Sequence, residues 1–170
     1  MDLQPYIRDI PDFPRPGVMF KDITPLLQTP AAFSYVIDQM AAHYKGRAID
    51  GVLAIEARGF LLGAALAYKM EKPLIPLRKR GKLPFHTVSV SYALEYGSDT
   101  IEMHQDGLVA GHRVVIVDDV LATGGTMGAA CRLVEQSGGK VAGLALLMEL
   151  AFLNGRQSLA AHDIFALLKY

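Results

Sequence analysis

Hydrophobic positions along the chain follow two spacings in turn, and this alternation predicts strands that take turns with helices. Apolar residues recur at helical spacing from Phe33 to Met40, with start signals at Thr29 and Pro30 and a stop signal at Gly46. Further helices are predicted at residues 60–68 and around the apolar stripe of Met127, Ala130, Cys131 and Val134. Short apolar runs predict strands at residues 51–55, 73–77, 113–117, 141–148 and 164–168.

This order of elements is typical of βαβ units, so the sequence predicts one α/β domain over residues 1–170, with a central, mostly parallel sheet flanked by helices. Two stretches depart from the pattern. About 30 residues at the start are rich in proline and predict a short helix with an ordered loop. Residues from about 78 to 100 are polar and too long for an ordinary connection, so they predict a functional loop or flap.

Composition narrows the class of protein. The chain has 170 residues, 51% of them hydrophobic, and 17 basic residues balance 17 acidic ones. The apolar fraction argues against disorder, and zero net charge argues against a general nucleic-acid binder. The single cysteine, Cys131, excludes an intrachain disulfide framework. The sequence shows no signal-peptide pattern and no apolar run near 20 residues, so we expect a cytoplasmic protein without a membrane span.

A group of polar residues follows the apolar run at 113–117. Asp118 and Asp119 are adjacent carboxylates, and the Thr-Gly-Gly-Thr turn at residues 123–126 opens the next helix. Glycine amides at a helix N-terminus bind phosphate, and the threonine hydroxyls add donors. The carboxylates suit vicinal sugar hydroxyls or a hydrated Mg²⁺. Neither G-x-x-x-x-G-K-[ST] nor G-x-G-x-x-G occurs, which weakens the case for ATP hydrolysis and for dinucleotide binding.

Two further stretches carry charge suited to a polyphosphate. Residues 56–60 place Arg58 in a turn after the first apolar strand, and a guanidinium binds phosphate oxygens in bidentate fashion. The flap begins with a basic run at residues 78–82 and later contains the isolated carboxylate of Glu95. This arrangement suits a lid that supplies cations and a general acid or base.

The run from Val114 to Thr126 resembles the phosphoribosyl pyrophosphate (PRPP) motif of type I phosphoribosyltransferases. The turn at 56–60, the flap and residues 13–23 together resemble the pyrophosphate loop, flap and N-terminal hood of the adenine phosphoribosyltransferases. The resemblance covers nearly the whole chain from Phe13 onward. It implies pentosyl transfer from PRPP to adenine, giving AMP and pyrophosphate in purine salvage, with Mg²⁺ as cofactor and a homodimer as the assembly.

The resemblance also implies roles for individual residues. Asp118 and Asp119 face the ribose hydroxyls, and PRPP carries the magnesium beside them without direct side-chain ligation. The expected ligands of the 5-phosphate are Ala122, Thr123, Gly124, Gly125 and Thr126, and those of pyrophosphate are Glu56, Ala57, Arg58, Arg78 and Lys82. Ala57 stands where many adenine enzymes have serine, so a hydroxyl contact is lost, and a cis peptide is common in this loop.

Adenine is expected to meet the hood and the flap. The resemblance implies that main-chain groups of Met19 and Lys21 read the edge of the base and that Phe20 stacks on its face. It makes Glu95 the general acid or base near the purine N7, assigns Arg58 the second catalytic role and places Tyr96 in the flap.

Two alternatives remain open from the sequence. The base is another purine, or the chain is a PRPP-sensing regulator that keeps the fold without turnover. The five histidines show no metal-ligand spacing, and Cys131 is expected in the core. Glu149 either supports the base pocket or marks the exit of its strand into solvent.

Overall fold

A computed structural model describes residues 1–93 and 98–170, and the central sheet defines the architecture of these parts. The strands are β1 Arg8–Ile10, β2 Phe20–Asp22, β3 Gly51–Ile55, β4 Leu74–Lys79, β5 Thr87–Ala93, β6 Ser98–His104, β7 Arg113–Leu121, β8 Lys140–Glu149 and β9 Ile164–Lys169. The helices are α1 Thr24–Leu27, α2 Pro30–Tyr44, α3 Arg58–Met70 and α4 Gly125–Gln136. None of these helices has the length and apolar character needed to cross a membrane.

The large sheet has seven strands in the order β5-β6-β4-β3-β7-β8-β9. Strands β4, β3, β7, β8 and β9 are parallel, and the antiparallel pair β5 and β6 occupies one edge. This confirms the predicted mostly parallel α/β sheet. The side of the sheet on which the chain adds its next strand changes between β3 and β7. Such a switch point opens a crevice where ligands bind.

Helices cover both faces of the sheet, and the alternation of side chains along β7 shows how. Val114 and Ile116 pack in the core that contains α4, whereas Val115 and Val117 pack in the core that contains α2 and α3. All four side chains are buried. This explains why the strand has no polar face and is read from the sequence as a continuous apolar run.

Strand β7 is longer than predicted, and its extra length forms one wall of the crevice. Its pairing with β3 ends at Val117, but its pairing with β8 continues to Leu121, which lies opposite Glu149. The expectation that Asp118 and Asp119 follow the strand is therefore wrong, because pairing with β8 extends the strand through both. Since β3 ends at Ile55, this part of β7 has a strand neighbour on one side only.

Two stretches differ from their predicted local structure. The N-terminal segment contains a short 3-10 helix, Gln4–Tyr6, and a small antiparallel sheet of β1 and β2, in addition to a short helix. The flap was predicted as a loop, but its described residues form the end of β4 and the hairpin of β5 and β6. Seven residue pairs join the hairpin strands, and this pairing outweighs the polar composition of the segment.

Candidate active site

A cavity of about 410 Å³ lies beside the end of β7, on the side where β7 has no strand neighbour. Its lining combines the turn after β3, the end of β7, the first turn of α4 and side chains of the β5–β6 hairpin. The residues that line it are Ile55, Glu56, Ala57, Arg58, Lys79, Tyr92, Asp99, Ile101, Asp118, Asp119, Val120 and Thr126. The topology therefore brings two of the predicted binding segments, 56–58 and 118–126, to one crevice.

The turn between β7 and α4 forms a smaller hollow of about 140 Å³. Residues 120–127 and Asp118 line it, so all five predicted phosphate ligands meet there. Gly124 precedes the helix with a φ of +87°, a left-handed conformation that favours glycine. Amides in the first turn of a helix have no partner within the helix and carry the positive end of its dipole. The hollow is consequently suited to an anion of phosphate size.

Two adjacent carboxylates stand between the cavity and the hollow. Asp119 is 3% exposed, and Asp118 accepts a hydrogen bond at Oδ1 from the Asp119 amide at 2.9 Å. Burial and the neighbouring carboxylate raise the pKa of Asp118 well above its usual range. Burial also raises the pKa of Asp119, against the lowering effect of Arg58. The ionised form of these carboxylates is stabilised by partners that donate hydrogen bonds or bring positive charge.

Arg58, the first residue of α3, connects three parts of the site. Its Nε lies 2.9 Å from Asp119 Oδ2, and its Nη1 donates to the Lys21 carbonyl oxygen at 3.3 Å. Its guanidinium carbon stands 4.8 Å from the centroid of the Phe20 ring. One side chain thus links the turn after β3, the carboxylates of β7 and the N-terminal hood. The Glu56–Ala57 peptide that precedes it is cis.

The hood presents an aromatic ring next to this arginine. Phe20 begins β2, and its ring meets that of Phe13 edge to face with centroids 5.0 Å apart. The Lys21 side chain turns away, because its Nζ binds Asp9 Oδ1 at 2.6 Å and stands over the Tyr170 ring. Met19 is about half exposed. This placement leaves the main-chain carbonyl of Lys21, rather than its side chain, on the side of Arg58. The main-chain role of Met19 stays a prediction.

Glu56 gathers cations of the predicted pyrophosphate site. Its carboxylate lies 2.5 Å from Lys82 Nζ and 3.3 Å from Arg78 Nε, and it accepts the Lys79 amide at 3.0 Å. Burial alone would raise the pKa of Glu56, but these hydrogen bonds outweigh burial and lower the pKa to about 2. The carboxylate is therefore ionised at neutral pH and holds Arg78 and Lys82, neither of which lines the cavity itself.

The cavity contains two polar residues that the sequence does not single out, Tyr92 and Asp99, and also Lys79, which the sequence predicts only as a member of the basic run at residues 78–82. Lys79 Nζ lies 3.0 Å from Asp99 Oδ2, and the Tyr92 hydroxyl donates to the same oxygen at 3.4 Å. The Tyr92 hydroxyl also accepts a hydrogen bond from Thr126 at 3.2 Å. The sequence contained a signal for Lys79, because side chains along a strand alternate between its two faces and Lys79 is therefore on the opposite face of β4 from Arg78.

Four further residues were considered from the sequence, two in the flap, one in the core and one at the end of β8. Glu95 and Tyr96 lie outside the described residues, and their roles stay predictions. Cys131 is buried in the core as expected. Glu149 does not mark an exit into solvent, because it is 5% exposed and pairs with Arg156.

Comparison with known proteins decides the family. The model of the phosphoribosyl transferase domain matches residues 22–164. An adenine phosphoribosyltransferase of Roseiflexus sp. (strain RS-1) is 55% identical over 169 residues, which cover 99% of this chain and 98% of the relative. The chain belongs to the adenine phosphoribosyltransferase family.

Solved structures agree with this family assignment. The crystal structure of adenine phosphoribosyltransferase from Thermoanaerobacter pseudethanolicus superposes with a TM-score of 0.96 at 51% identity, covering 99% of this chain and 98% of that one. The enzyme from Saccharomyces cerevisiae, complexed with an imino-altritol 1,6-bisphosphate and adenine, gives a TM-score of 0.92 at 38% identity, covering 98% and 96%. The resemblance and the fold class inferred from the sequence are thereby confirmed.

Proposed function

We propose that this protein transfers the 5-phosphoribosyl group from PRPP to adenine, releasing AMP and pyrophosphate, as in purine salvage. The observation that carries the proposal is the position of Arg58, which touches the aromatic ring of the hood and the Asp119 carboxylate of β7 at once. A base on Phe20 and a ribose on Asp118 and Asp119 would then be neighbours in one crevice. Membership of the adenine phosphoribosyltransferase family supports the same activity.

The geometry performs this transfer mainly by positioning. The hollow at residues 122–126 holds the 5-phosphate, and the two carboxylates accept hydrogen bonds from the ribose hydroxyls. Phe20 supports the face of adenine so that a ring nitrogen attacks C1 of the ribose while pyrophosphate leaves. Fixing both reactants removes much of the entropic barrier, and the adjacent carboxylates stabilise positive charge that develops on the sugar.

Cations in and next to the crevice receive the departing pyrophosphate. Arg58 and Lys79 line the cavity directly, whereas Arg78 and Lys82 are connected to it through their ion pairs with Glu56. The turn backbone at Glu56 and Ala57 completes this subsite in the proposal. Because Ala57 carries no hydroxyl, its contribution comes from the main chain.

Magnesium belongs to the proposal as a cofactor carried by PRPP. Asp119 Oδ2 is buried and forms an ion pair with Arg58 Nε at 2.9 Å, but no described residue donates a hydrogen bond of good geometry to it, and the raised pKa values of both carboxyls favour an added positive charge nearby. Asp118 and Asp119 therefore fit a hydrated Mg²⁺, which supplies charge neutralisation for the pyrophosphate group when bound. Neither carboxylate is required as a direct ligand.

Glu95 keeps its proposed role as general acid or base near the purine N7, carried over from the family resemblance. We expect Glu95→Gln and Glu95→Leu to lose most of kcat while PRPP still binds. Turnover near that of the unaltered protein in both variants would contradict this role.

Assembly and location complete the proposal. We propose a homodimer, supported by an exposed apolar stripe on α3, where Leu61 is 47% and Tyr68 is 86% exposed one heptad apart. We propose a cytoplasmic location, supported by a single cysteine that is buried and free. The proposed partners are adenine, PRPP, AMP and pyrophosphate, without nucleic acid or membrane.

Replacing Arg58 tests the observation on which the proposal rests. Because Arg58 lowers the pKa of Asp119, Arg58→Gln is expected to move the acid limb of the pH profile of kcat/KM for PRPP to higher pH. We also expect kcat/KM to fall roughly 100-fold, as for other misplaced reacting groups. Arg47→Gln, which removes a surface ion pair with Asp163, is the control. An unchanged profile in Arg58→Gln would contradict the proposal.

A further inference from the structure

The function proposed above leaves unexplained a half-buried ion pair behind residues 122–126, which we call the phosphate loop. Glu149, the last residue of β8, has a side chain only 6% exposed, and Arg156 binds both of its oxygens. Arg156 Nε lies 3.1 and 3.0 Å from the two carboxylate oxygens, and Nη2 lies 2.6 Å from Oε2. Nη1 donates to the Ile164 carbonyl oxygen at 3.2 Å. These bonds fix the plane of the guanidinium, and none of these atoms lines the substrate cavity.

Arg156 belongs to a short 3-10 helix, Gly155–Leu159, which we call the support helix. The support helix is held at its other end by Leu159, which is 3% exposed in the core beside α4. Ser158 Oγ donates to the Gly155 carbonyl oxygen at 2.8 Å. The helix thus has two anchors, an ion pair to β8 and an apolar side chain in the core.

The support helix touches the back of the phosphate loop mainly through the main chain of Gly155. A Cβ on Gly155 would stand 2.1 Å from the Ala122 carbonyl oxygen and 3.0 Å from the Gly124 nitrogen. A Cβ on Gly124 would stand 2.8 Å from the Gly155 carbonyl oxygen and 2.5 Å from Ser158 Oγ. Two glycines therefore face each other, and the loop packs against the main chain of Gly155 and the hydroxyl of Ser158.

Glu149 of this ion pair also lies next to the start of the phosphate loop. Glu149 lies opposite Leu121 in the sheet, and the Leu150 amide donates to the Leu121 carbonyl oxygen at 2.9 Å. The phosphate loop leaves β7 directly after Leu121. Any movement of Arg156 relative to Glu149 would therefore change the distance between the end of β7 and the support behind the loop.

We propose that Glu149 and Arg156 are positioning residues, which hold Gly155 against residues 122–124 and so preorganise the loop for the 5-phosphate. Neither residue touches the substrate. This inference rests on the proposed function, because it assigns a purpose to the support of that phosphate site. Preorganisation lowers the cost of binding, so its loss weakens affinity for the phosphate end of the substrate selectively.

The first test removes the ion pair. Glu149→Gln and Arg156→Gln are each expected to raise KM for PRPP and Kd for ribose 5-phosphate roughly 10- to 100-fold, with KM for adenine unchanged. Because the residues act as a unit, the double variant is expected to show the defect of either single variant rather than their product. Arg156→Lys keeps the charge but loses the planar fork, so it should recover only part of the affinity.

The second test leaves the ion pair intact. Gly155→Ala inserts a methyl group against the Ala122 carbonyl oxygen and is expected to give the same PRPP-selective defect. Gly51→Ala is the matched control, because its Cβ meets nothing nearer than Ile75 Cδ1 at 3.4 Å. Arg47→Gln serves as the control for loss of an ion pair, and urea unfolding of every variant measures stability separately.

The outcomes separate this inference from the proposed function. Equal effects on adenine and PRPP constants, or a loss of stability with unchanged Kd for ribose 5-phosphate, would overturn the positioning role. If the unaltered protein formed no AMP but still bound ribose 5-phosphate, and the variants bound it weakly, the proposed function would fall while the positioning role would stand. Absence of both AMP formation and ribose 5-phosphate binding in the unaltered protein would overturn both.

Discussion

At the scale of single residues, the phosphate loop shows why neighbouring glycines play different parts. Gly124 needs its left-handed φ, and a side chain there would collide with the support helix. Gly125 has a helical conformation, and its Cβ would meet only ordinary contacts, the nearest being Tyr92 Cδ2 at 3.6 Å. Replacement of Gly124 by valine would therefore destabilise the fold as well as alter the phosphate site.

Gly125→Ala is the sharper variant for the phosphate site. The added methyl group fits the protein but narrows the hollow beside the first amides of α4. We expect the melting temperature to stay within a few degrees, while KM for PRPP rises roughly tenfold or more. Steady-state kinetics and a thermal melt check both parts. Unchanged KM for PRPP would remove this loop from phosphate binding.

Asp118 makes opposite contributions to folding and to binding. A carboxyl whose pKa is higher in the folded state stabilises the fold less as pH rises from its unfolded value, near 3.8, through its folded value. Asp118→Asn is therefore expected to raise the free energy of unfolding at pH 7 by about 1 kcal/mol or more. The gain should vanish below about pH 4, where the carboxyl is protonated in both states.

The same variant is expected to bind PRPP weakly. Loss of an ionised acceptor for a ribose hydroxyl costs roughly 10- to 100-fold in affinity. Urea unfolding at several pH values and titration with PRPP check the two effects together. A variant less stable at pH 7 with unaltered PRPP binding would contradict both assignments.

At the scale of elements, periodicity in the sequence predicted the parallel strands well and the antiparallel hairpin poorly. Strand β3 and the interior of β8 are apolar because both faces are covered, so their positions follow from hydrophobicity alone. Strand β5 alternates Val88, Val90 and Tyr92 with polar residues, which is the pattern of a half-buried strand. The basic and polar composition around it favoured a loop, and pairing with β6 was not visible in local sequence.

The site residues divide in the same way. The motif at residues 118–126 was predictable because strand, carboxylates and glycine turn are contiguous in the sequence. The bond between Tyr92 and Thr126 and the contact of Gly155 with Ala122 join residues about 30 positions apart in the sequence. Such contacts depend on the three-dimensional packing of elements, and no local pattern encodes them.

Helix α3 carries the prediction about assembly. Its buried face packs on β3 and β7, while Leu61 and Tyr68 lie on the exposed face. We expect Leu61→Glu combined with Tyr68→Glu to convert a dimer into a monomer at micromolar concentration, measured by light scattering after gel filtration. Val109→Glu, at an exposed apolar position away from α3, is the control and should remain dimeric. A monomeric unaltered protein would contradict the proposed homodimer.

At the scale of the whole molecule, zero net charge is the sum of opposed local charges. Arg58 and Lys79 line the crevice, and Asp118 and Asp119 stand beside them. The basic run at residues 78–82 does not converge on one point, because Glu56 binds Arg78 and Lys82 while Asp99 binds Lys79. The crevice therefore suits a small ligand with separate anionic and hydroxyl groups better than a uniform polyanion.

One measurement tests this account most directly. The purified protein is incubated with PRPP, Mg²⁺ and adenine, hypoxanthine, guanine or xanthine in turn, and nucleotide and pyrophosphate are quantified. We expect AMP and pyrophosphate in equal amounts, with kcat/KM for adenine at least about 100-fold above the other purines, because groups built to read one base edge reject its analogues. Preferential use of another purine would contradict adenine as the substrate, and PRPP binding without nucleotide formation would favour a regulator.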